Sequence, residues 1–221
     1  MLKRSTGPQT IYKKQKLDRD DVIDVTDFDM LSWLKAEMRM MLEEEIARAI
    51  LIGDGRMSSS DDKIKESCVR PIAKEEALYK DEVTLTGTGD ELAKDFIHQA
   101  LVARKGYKGS GSPDLFTTEE MLATMLLLTD TTGRDLYTDE AALARKLRVN
   151  RIIPVPVMEN GDVLGIITNL NDYNVGADRG GAVNMFDDFD LDYNKQIYLI
   201  ETRISGALIK PHAAIVLKKG A

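Results

Sequence analysis

Apolar residues recur at helical spacing along one early stretch of the chain, at Leu31, Leu34, Met38, Met41, Leu42, Ile46, Ala49 and Ile50. This pattern predicts a single amphipathic helix over about residues 27–52. Thr26 and Asp29 have the spacing of a capping box at its start, and Gly53 or Gly55 is placed to end it. At about 1.5 Å per residue the helix would be about 39 Å long. We therefore expect a central helix on which other elements pack.

Three shorter helices are predicted in the middle of the chain, each with a residue that could cap its first turn. They run from Asp90 to about Arg104, from the capping box Thr117–Glu120 to about Leu128, and from Thr138 or Asp139 to about Leu147. The glycine-rich stretch 106–113 between the first two is predicted to be a flexible loop. The middle of the chain is therefore expected to be mainly helical.

After residue 149 the pattern changes from helical to extended. Residues 149–157 contain Pro154 and Pro156, which exclude a hydrogen-bonded strand in the centre of a sheet. Asn160–Gly161 predicts a hairpin turn between strands at 155–157 and 163–167. Further strands are predicted at 173–177, 182–187, 195–208 and 213–218.

The predicted strand 195–208 is the longest of these, and its residues alternate between two faces. Tyr198, Ile200, Thr202 and Ile204 share one face, whereas Glu201 and other mainly polar residues share the opposite one. One face of this strand is therefore expected to pack on an apolar core.

Composition excludes several classes of protein. The chain has 221 residues and a net charge of −7, which argues against a general nucleic-acid binder. Cys68 is the only cysteine, so neither an intramolecular disulfide nor a zinc site with two or more cysteines can form within one chain. No apolar run approaches the about 20 residues needed to span a bilayer. We expect a protein that is soluble and cytoplasmic at synthesis.

Charge is unevenly distributed along this acidic chain. Residues 1–17 carry five basic side chains and no acidic one, and a later stretch is strongly acidic. Two interpretations of the basic segment remain open: a solvated tail, or an arm that binds an acidic surface of a neighbouring subunit. On opposite charge alone, we predict a subunit interface formed by Lys13, Lys14, Lys16, Asp187, Asp188, Asp190 and Asp192.

No motif in the sequence predicts catalysis. The acidic run resembles a calcium loop but has Tyr193 where glycine is needed and Leu199 where a glutamate should close the site. The glycine-rich loop 106–113 lacks the order of a phosphate-binding motif. His98 and His212 are the only imidazole bases, and neither has a recognisable nucleophile motif nearby. We therefore predict no catalytic residue, no cofactor, no metal site and no small-molecule substrate.

Three stretches, taken in order, resemble the major capsid proteins of tailed bacteriophages, which have the Hong Kong 97-type shell fold. The predicted long helix ends in Ile50-Leu51-Ile52-Gly53-Asp54-Gly55, like the spine helix of that family. Residues 128–137 are similar to a turn of its axial domain. The segment from Asp190 to Ile215 resembles the strands that return to pack on the spine helix.

The resemblance implies an α+β fold with a long spine helix packed on an antiparallel sheet and an inserted mixed α/β axial domain. It places residues 1–59 and 183–221 in the peripheral domain and residues 60–182 in the axial domain. About 25 residues precede the helix, so most of the family's N-terminal arm and extended loop would be missing. The last strands are expected to lie along the helix.

The implied function is that of a structural subunit of a phage or prophage capsid in the virion. Such a subunit forms hexamers and pentamers with itself and encloses double-stranded DNA without sequence-specific binding. Two alternatives remain: an encapsulin-like compartment shell, and, from another class, an α/β ligand-binding protein or enzyme with an unrecognised site.

Overall fold

A computed structural model describes residues 5–18, 30–53, 64–159, 161–177 and 183–220. The chain forms two compact units, each built from segments that are separated along the sequence. Unit 1 comprises the described residues within 1–50, 54–69 and 175–206. Unit 2 comprises those within 51–53, 70–174 and 207–221.

Unit 1 contains the predicted long helix, α1, which runs from Met30 to Leu51 over 22 residues. Leu34, Met38, Leu42 and Ala49 are buried, at the spacing that the sequence pattern predicts. Gly53 has a φ of 79°, a left-handed conformation that favours glycine and suits a helix end. The proposed capping box at Thr26 and Asp29 lies outside the described residues.

The sheet of unit 1 is organised around the long strand β8, Lys195–Leu208. Strand β1, Gln9–Asp18, and strand β7, Asn184–Asp190, are both antiparallel to β8. Both pair with residues 195–201 of β8, so they lie on its opposite sides. Strand β6, Tyr173–Ala177, is a further neighbour of β8.

The core of unit 1 lies between α1 and one face of this sheet. Tyr198, Ile200 and Ile204 of β8 pack in one cluster with the buried residues of α1 and with Ile11 of β1. This is the face that the alternating pattern predicted to be buried. Burying a large aliphatic side chain stabilises a fold by about 1.5–3 kcal/mol, so helix and sheet hold each other in place.

Unit 2 contains a mixed five-stranded sheet within the described residues, in the order β2-β9-β5-β3-β4. The strands are β2 Lys80–Leu85, β3 Asp114–Thr117, β4 Ile152–Pro154, β5 Val163–Thr168 and β9 Ala214–Lys219. The pairs β2–β9 and β3–β4 are parallel, and β5 is antiparallel to β3 and β9. Strand β4, which contains Pro154, lies at a sheet edge as predicted.

Three helices complete unit 2: α2 Asp90–Ala103, α3 Glu119–Leu126 and α4 Glu140–Leu147. One apolar cluster joins these helices to the sheet. Its fully buried members include Phe96 of α2, Met125 of α3, Leu143 of α4, Leu115 of β3 and Ile167 of β5.

The helix starts differ from the prediction at two of three places. Asp90 is the first residue of α2, and Gly89 precedes it as the N-cap. Helix α3 is capped by Thr118, whose Oγ1 accepts a hydrogen bond from Met121 N at 3.2 Å. Thr117 is instead the last residue of β3. Asp139, one of the two predicted candidates, caps α4, and its Oδ1 accepts a hydrogen bond from Ala142 N at 2.6 Å.

The predicted hairpin at Asn160–Gly161 is wrong. Residues Pro156–Met158 form a short 3-10 helix, and β5 pairs with β9 on one side and β3 on the other. Both edges of β5 are therefore occupied by strands that are distant in sequence. Asn160 itself lies outside the described residues.

The last two strands do not both pack on α1. Strand β8 does, but β9 belongs to unit 2, where it lies between β2 and β5. The expectation that all the final strands lie along the helix is therefore wrong for β9. Its six residues satisfy their backbone hydrogen bonds in the sheet of unit 2 instead.

Candidate subunit interface

The charged residues that the sequence singled out lie on two strands that flank β8. Lys13, Lys14 and Lys16 are on β1. Asp187, Asp188 and Asp190 are on β7, and Asp192 follows in the turn that leads to β8. In the described part of the chain, β1 and β7 each have β8 as their only strand neighbour. The basic and the acidic segment thus form two opposite edges of one sheet.

Two residues of the predicted subunit interface form an ion pair within a single chain. Lys16 Nζ lies 3.2 Å from Asp190 Oδ2, across the intervening strand β8. The hydrogen bond from Lys16 lowers the pKa of Asp190 from its usual value. Lys16 Nζ also lies 5.6 Å from the centroid of the Tyr193 ring. Because the lysine is exposed, the pair adds little to stability, and it joins the two edges rather than two subunits.

The other charges have no such partner. Lys13, Lys14, Asp187 and Asp188 form no ion pair with any residue that the structure describes. Asp192 donates its backbone N–H to Asp190 Oδ1 at 3.2 Å, which shapes the turn and leaves the Asp192 side chain exposed. The structure therefore pairs two of the predicted interface residues inside the chain and leaves Lys13, Lys14, Asp187 and Asp188 at the sheet edges without an ion pair among the described residues.

Paired residues of antiparallel strands share a face of the sheet, which fixes the side on which each charge lies. Lys13 is opposite Ile200 and Asp187 is opposite Tyr198, so both are on the face that packs on α1. Lys14 and Asp188 are on the other face, which points away from the core.

Apolar side chains accompany these charges on the outer face and at the turn. Tyr12 and Phe186 on the outer face are 46% and 52% exposed. Leu191 and Tyr193 in the turn between β7 and β8 are 86% and 69% exposed. Exposed aromatic residues with charged neighbours are typical of surfaces that bind other proteins.

The candidate bases of the sequence have ordinary surroundings. His98 is an exposed residue of α2. His212 Nδ1 lies 2.9 Å from Asp81 Oδ1, a contact that the sequence did not suggest because 131 residues separate the two. Cys68 belongs to unit 1, whereas both histidines belong to unit 2. No nucleophile is hydrogen-bonded to either histidine among the described residues.

The glycine-rich loop 106–113 is held by an internal carboxylate. Ser110 donates its backbone N–H to Asp172 Oδ2 and its hydroxyl to Asp172 Oδ1, both at 2.5 Å. Asn169 Nδ2 donates to Ser110 O at 2.7 Å. The carboxylate of Asp172 already accepts the Ser110 N–H, which a bound phosphate would need. The loop is therefore anchored through Ser110, whereas the sequence suggested a flexible loop.

An open cleft of about 560 Å³ in unit 2 is lined by Glu120, Asp162, Lys219 and neighbouring residues. Charged side chains dominate its rim, whereas small-molecule sites are mostly apolar. In the ranges that the structure describes, no three acidic, histidine or cysteine side chains are grouped so that they could bind a metal ion. None of the described helices combines the length and the apolar character that crossing a membrane requires.

No protein-family model and no curated protein matches the chain. Several solved structures do match it. The capsid of the native GTA particle superimposes with a TM-score of 0.69 at 17% identity, over 97% of this chain and 73% of that one. A chain of Mycobacterium phage Bobi gives 0.68 at 11% identity, over 97% and 72%. A virus-like particle from Pyrococcus furiosus gives 0.64 at 16% identity, over 95% and 76%.

These likenesses establish the fold, because they cover almost all of the described architecture. The chain has the α+β fold of phage capsid-shell proteins, with a long helix on an antiparallel sheet and a mixed α/β unit. The resemblance to phage major capsid proteins that the residues suggested is confirmed at the level of the fold.

Proposed function

We propose that this protein is the structural subunit of an icosahedral phage or phage-like capsid. In this proposal it assembles into hexamers and pentamers, and the shell encloses double-stranded DNA. The observation that carries it is the match to the capsid of the native GTA particle over 97% of the chain, with a TM-score of 0.69. A match of that extent includes both units rather than one shared motif.

In the proposed shell, unit 1 acts as the peripheral domain and unit 2 as the axial domain. Unit 1 supports the first assignment, since its long helix packs on a sheet with two strand edges among the described residues. Closed symmetric assemblies arise when each subunit repeats a few modest contacts. The role is mechanical, so it requires no catalytic residue, cofactor or metal ion.

The proposed relation to DNA is enclosure without sequence-specific recognition. The net charge of −7 supports this reading, because tight binding to duplex DNA usually depends on clustered basic residues. The charged segment with three lysines on β1 also has acidic residues on the same sheet, so it does not form an extended basic face.

The test is the assembly state of the purified protein over a range of concentrations. Size-exclusion chromatography with light scattering should give masses of five or six copies or of larger particles, and negative-stain microscopy should show rings or shells. The ratio of nucleic acid to protein in the recovered particles then reports what they enclose; a protein cargo would indicate a compartment shell. A folded protein that stays monomeric at every concentration would contradict the proposal.

A further inference from the structure

The basic and acidic edge strands of unit 1 have the same charge spacing. On β1 the lysines occupy positions 13, 14 and 16, and on β7 the aspartates occupy positions 187, 188 and 190. Each set therefore follows the order i, i+1, i+3. When the two strands are placed side by side with Lys13 beside Asp187, Lys16 also falls beside Asp190.

The directions of the strands allow that placement between two copies of the chain. Strands β1 and β7 are each antiparallel to β8, so they run parallel to each other at opposite edges of the sheet. A second copy moved sideways without rotation, and by two residues along the strand direction, brings its β7 next to β1 of the first copy in parallel orientation, with Lys13 beside Asp187. The outer backbone groups of an edge strand are available for such pairing.

The faces of the sheet match in the same register. Lys14 and Asp188 both lie on the outer face, and Lys13 and Asp187 both lie on the face toward α1. In a continuous sheet, neighbouring strands place side chains of one face together. Each lysine would therefore meet an aspartate on its own side of the extended sheet.

The pattern is more than the usual protection of an edge strand by charge. Charges of one sign on both edges would prevent aggregation equally well. Opposite signs instead disfavour contact of β1 with β1 and of β7 with β7, and favour contact of β1 with β7. Within one chain Lys16 and Asp190 already pair, whereas Lys13, Lys14, Asp187 and Asp188 do not.

We propose that β1 of one copy pairs edge to edge with β7 of a second copy, in parallel, with Lys13 beside Asp187 and Lys14 beside Asp188. The inference rests on the proposed function, since it takes the partner to be the same protein. Each copy presents a basic edge on one side and an acidic edge on the other, which gives a head-to-tail contact. Repeated contacts of this kind close into rings or extend as filaments.

The test uses two charge-reversed variants that are defective alone and complementary together. One carries Lys13→Glu and Lys14→Glu, and the other carries Asp187→Lys and Asp188→Lys. Each alone has two edges of the same sign, so its self-association should weaken on the order of tenfold or more. An equimolar mixture places an acidic β1 beside a basic β7, and should recover association to within a few-fold of the unchanged protein.

A matched control separates this effect from a general change of charge. Lys94→Glu with Lys105→Glu alters the net charge by the same amount as the β1 variant, at two exposed residues of unit 2. The control should associate like the unchanged protein. If mixing leaves both defects in place, the charges act only within a chain and the proposed contact is wrong. If neither variant is weakened when alone, it is wrong as well.

Disulfide trapping tests the register directly, in a Cys68→Ser background. Chains with Lys14→Cys are mixed with chains carrying Asp188→Cys under mild oxidation. Paired strands lie about 4.8 Å apart, within the range that a disulfide bridges. Each chain carries a single cysteine, so a disulfide can form only between two chains, and the 14–188 product is the dimer that contains one chain of each kind. Phe189→Cys, one residue along on the opposite face, should give little product.

The outcomes distinguish this inference from the proposed function. Particles that form without a 14–188 disulfide would leave the capsid proposal standing and overturn the β1–β7 contact. A disulfide-linked heterodimer together with rescue in the mixture supports the contact, whether or not complete shells are seen. A protein that shows no self-association and no disulfide overturns both.

Discussion

Replacing Gly165 by alanine tests how tightly the core of unit 2 is packed where the backbone of β5 meets the ring of Phe96. Gly165 lies in β5, and a Cβ added there would stand 2.6 Å from Phe96 Cζ and 2.8 Å from Phe96 Cε2. Carbon atoms in contact are normally about 3.5–4.0 Å apart. The ring would have to withdraw by about 1 Å, and Phe96 is fully buried in α2. Gly165→Ala therefore overpacks a filled core.

The expected loss follows from that overlap. Overpacking of this size costs about 1–3 kcal/mol. Alanine recovers about 0.4–1 kcal/mol by restricting the unfolded chain, because Gly165 does not need a positive φ. The net destabilisation therefore lies between about 0 and 2.6 kcal/mol, centred near 1.3 kcal/mol, which is a sizeable share of the total stability of a typical domain.

Urea unfolding followed by far-ultraviolet circular dichroism measures this loss as a lower midpoint. Gly7→Ala is the control, because nothing lies within 4 Å of a Cβ at Gly7. Its stability should change by less than about 0.5 kcal/mol. Shrinking the ring, as in Phe96→Leu, should make Gly165→Ala less harmful in the double variant than in isolation. Equal midpoints for the two alanine variants would show that the steric argument is incorrect.

Three further predictions concern buried polar groups of unit 2. Thr117→Val keeps the shape of the side chain but removes the hydroxyl that donates to Leu164 O at 2.8 Å, so the free energy of unfolding should fall by about 1–3 kcal/mol. Thr117→Ser keeps the hydroxyl and should retain most of the stability. Equal losses in both variants would contradict the hydrogen-bond argument. Asp172→Ala removes both acceptors for Ser110, so amide hydrogen exchange should become faster across residues 106–113 and stay unchanged in β8. Unchanged exchange in the loop would show that Asp172 does not anchor it. Burial, and next the negative charge of Asp172, raise the pKa of Tyr107 to about 12 from 10.0. The folded state holds the Tyr107 proton more tightly than the unfolded state, so the protonated hydroxyl contributes to stability. This contribution is complete below pH 10 and is lost as the pH rises toward 12. Ultraviolet titration should show a tyrosine that ionises near pH 12, and Tyr107→Phe should remove that step. An unchanged titration in the variant would reject the assignment.

The sequence predicted the elements whose residues alternate or recur regularly. Leu34, Met38 and Leu42 define a helix because their spacing places them on one face, and the structure buries all three. Strand β8 matches its predicted bounds of 195–208 for the same reason. Its alternating face meets α1, so the local pattern and the tertiary packing agree.

The errors concern information that local patterns do not contain. Asn160–Gly161 looks like a hairpin turn, but the edges of β5 are taken by β3 and β9, which are remote in sequence. Thr117 and Thr118 are equivalent candidates for a cap until the extent of β3 is known. The sequence of β9 likewise did not indicate which unit the strand joins, because its neighbours β2 and β5 are remote in sequence.

The candidate interface was only partly predictable. Opposite charge was visible in the sequence and suggested a contact between subunits, whereas the structure pairs Lys16 with Asp190 inside one chain. That they pair within one chain depends on β1 and β7 flanking the same strand, which no local signal shows. The contact between Asp81 and His212 was missed for the same reason, because 131 residues separate them.

The position of β9 also determines when the chain can finish folding. It is the last of the described strands to be synthesised, yet it fills the gap between β2 and β5. Before β9 is added, β2 is separate from the three-stranded sheet β5-β3-β4. The backbone groups of β2 and β5 that pair with β9 then have no partner strand. A nascent chain therefore cannot complete its second unit before β9 has emerged from the ribosome, and in the proposed shell a subunit would be ready to assemble only after that moment.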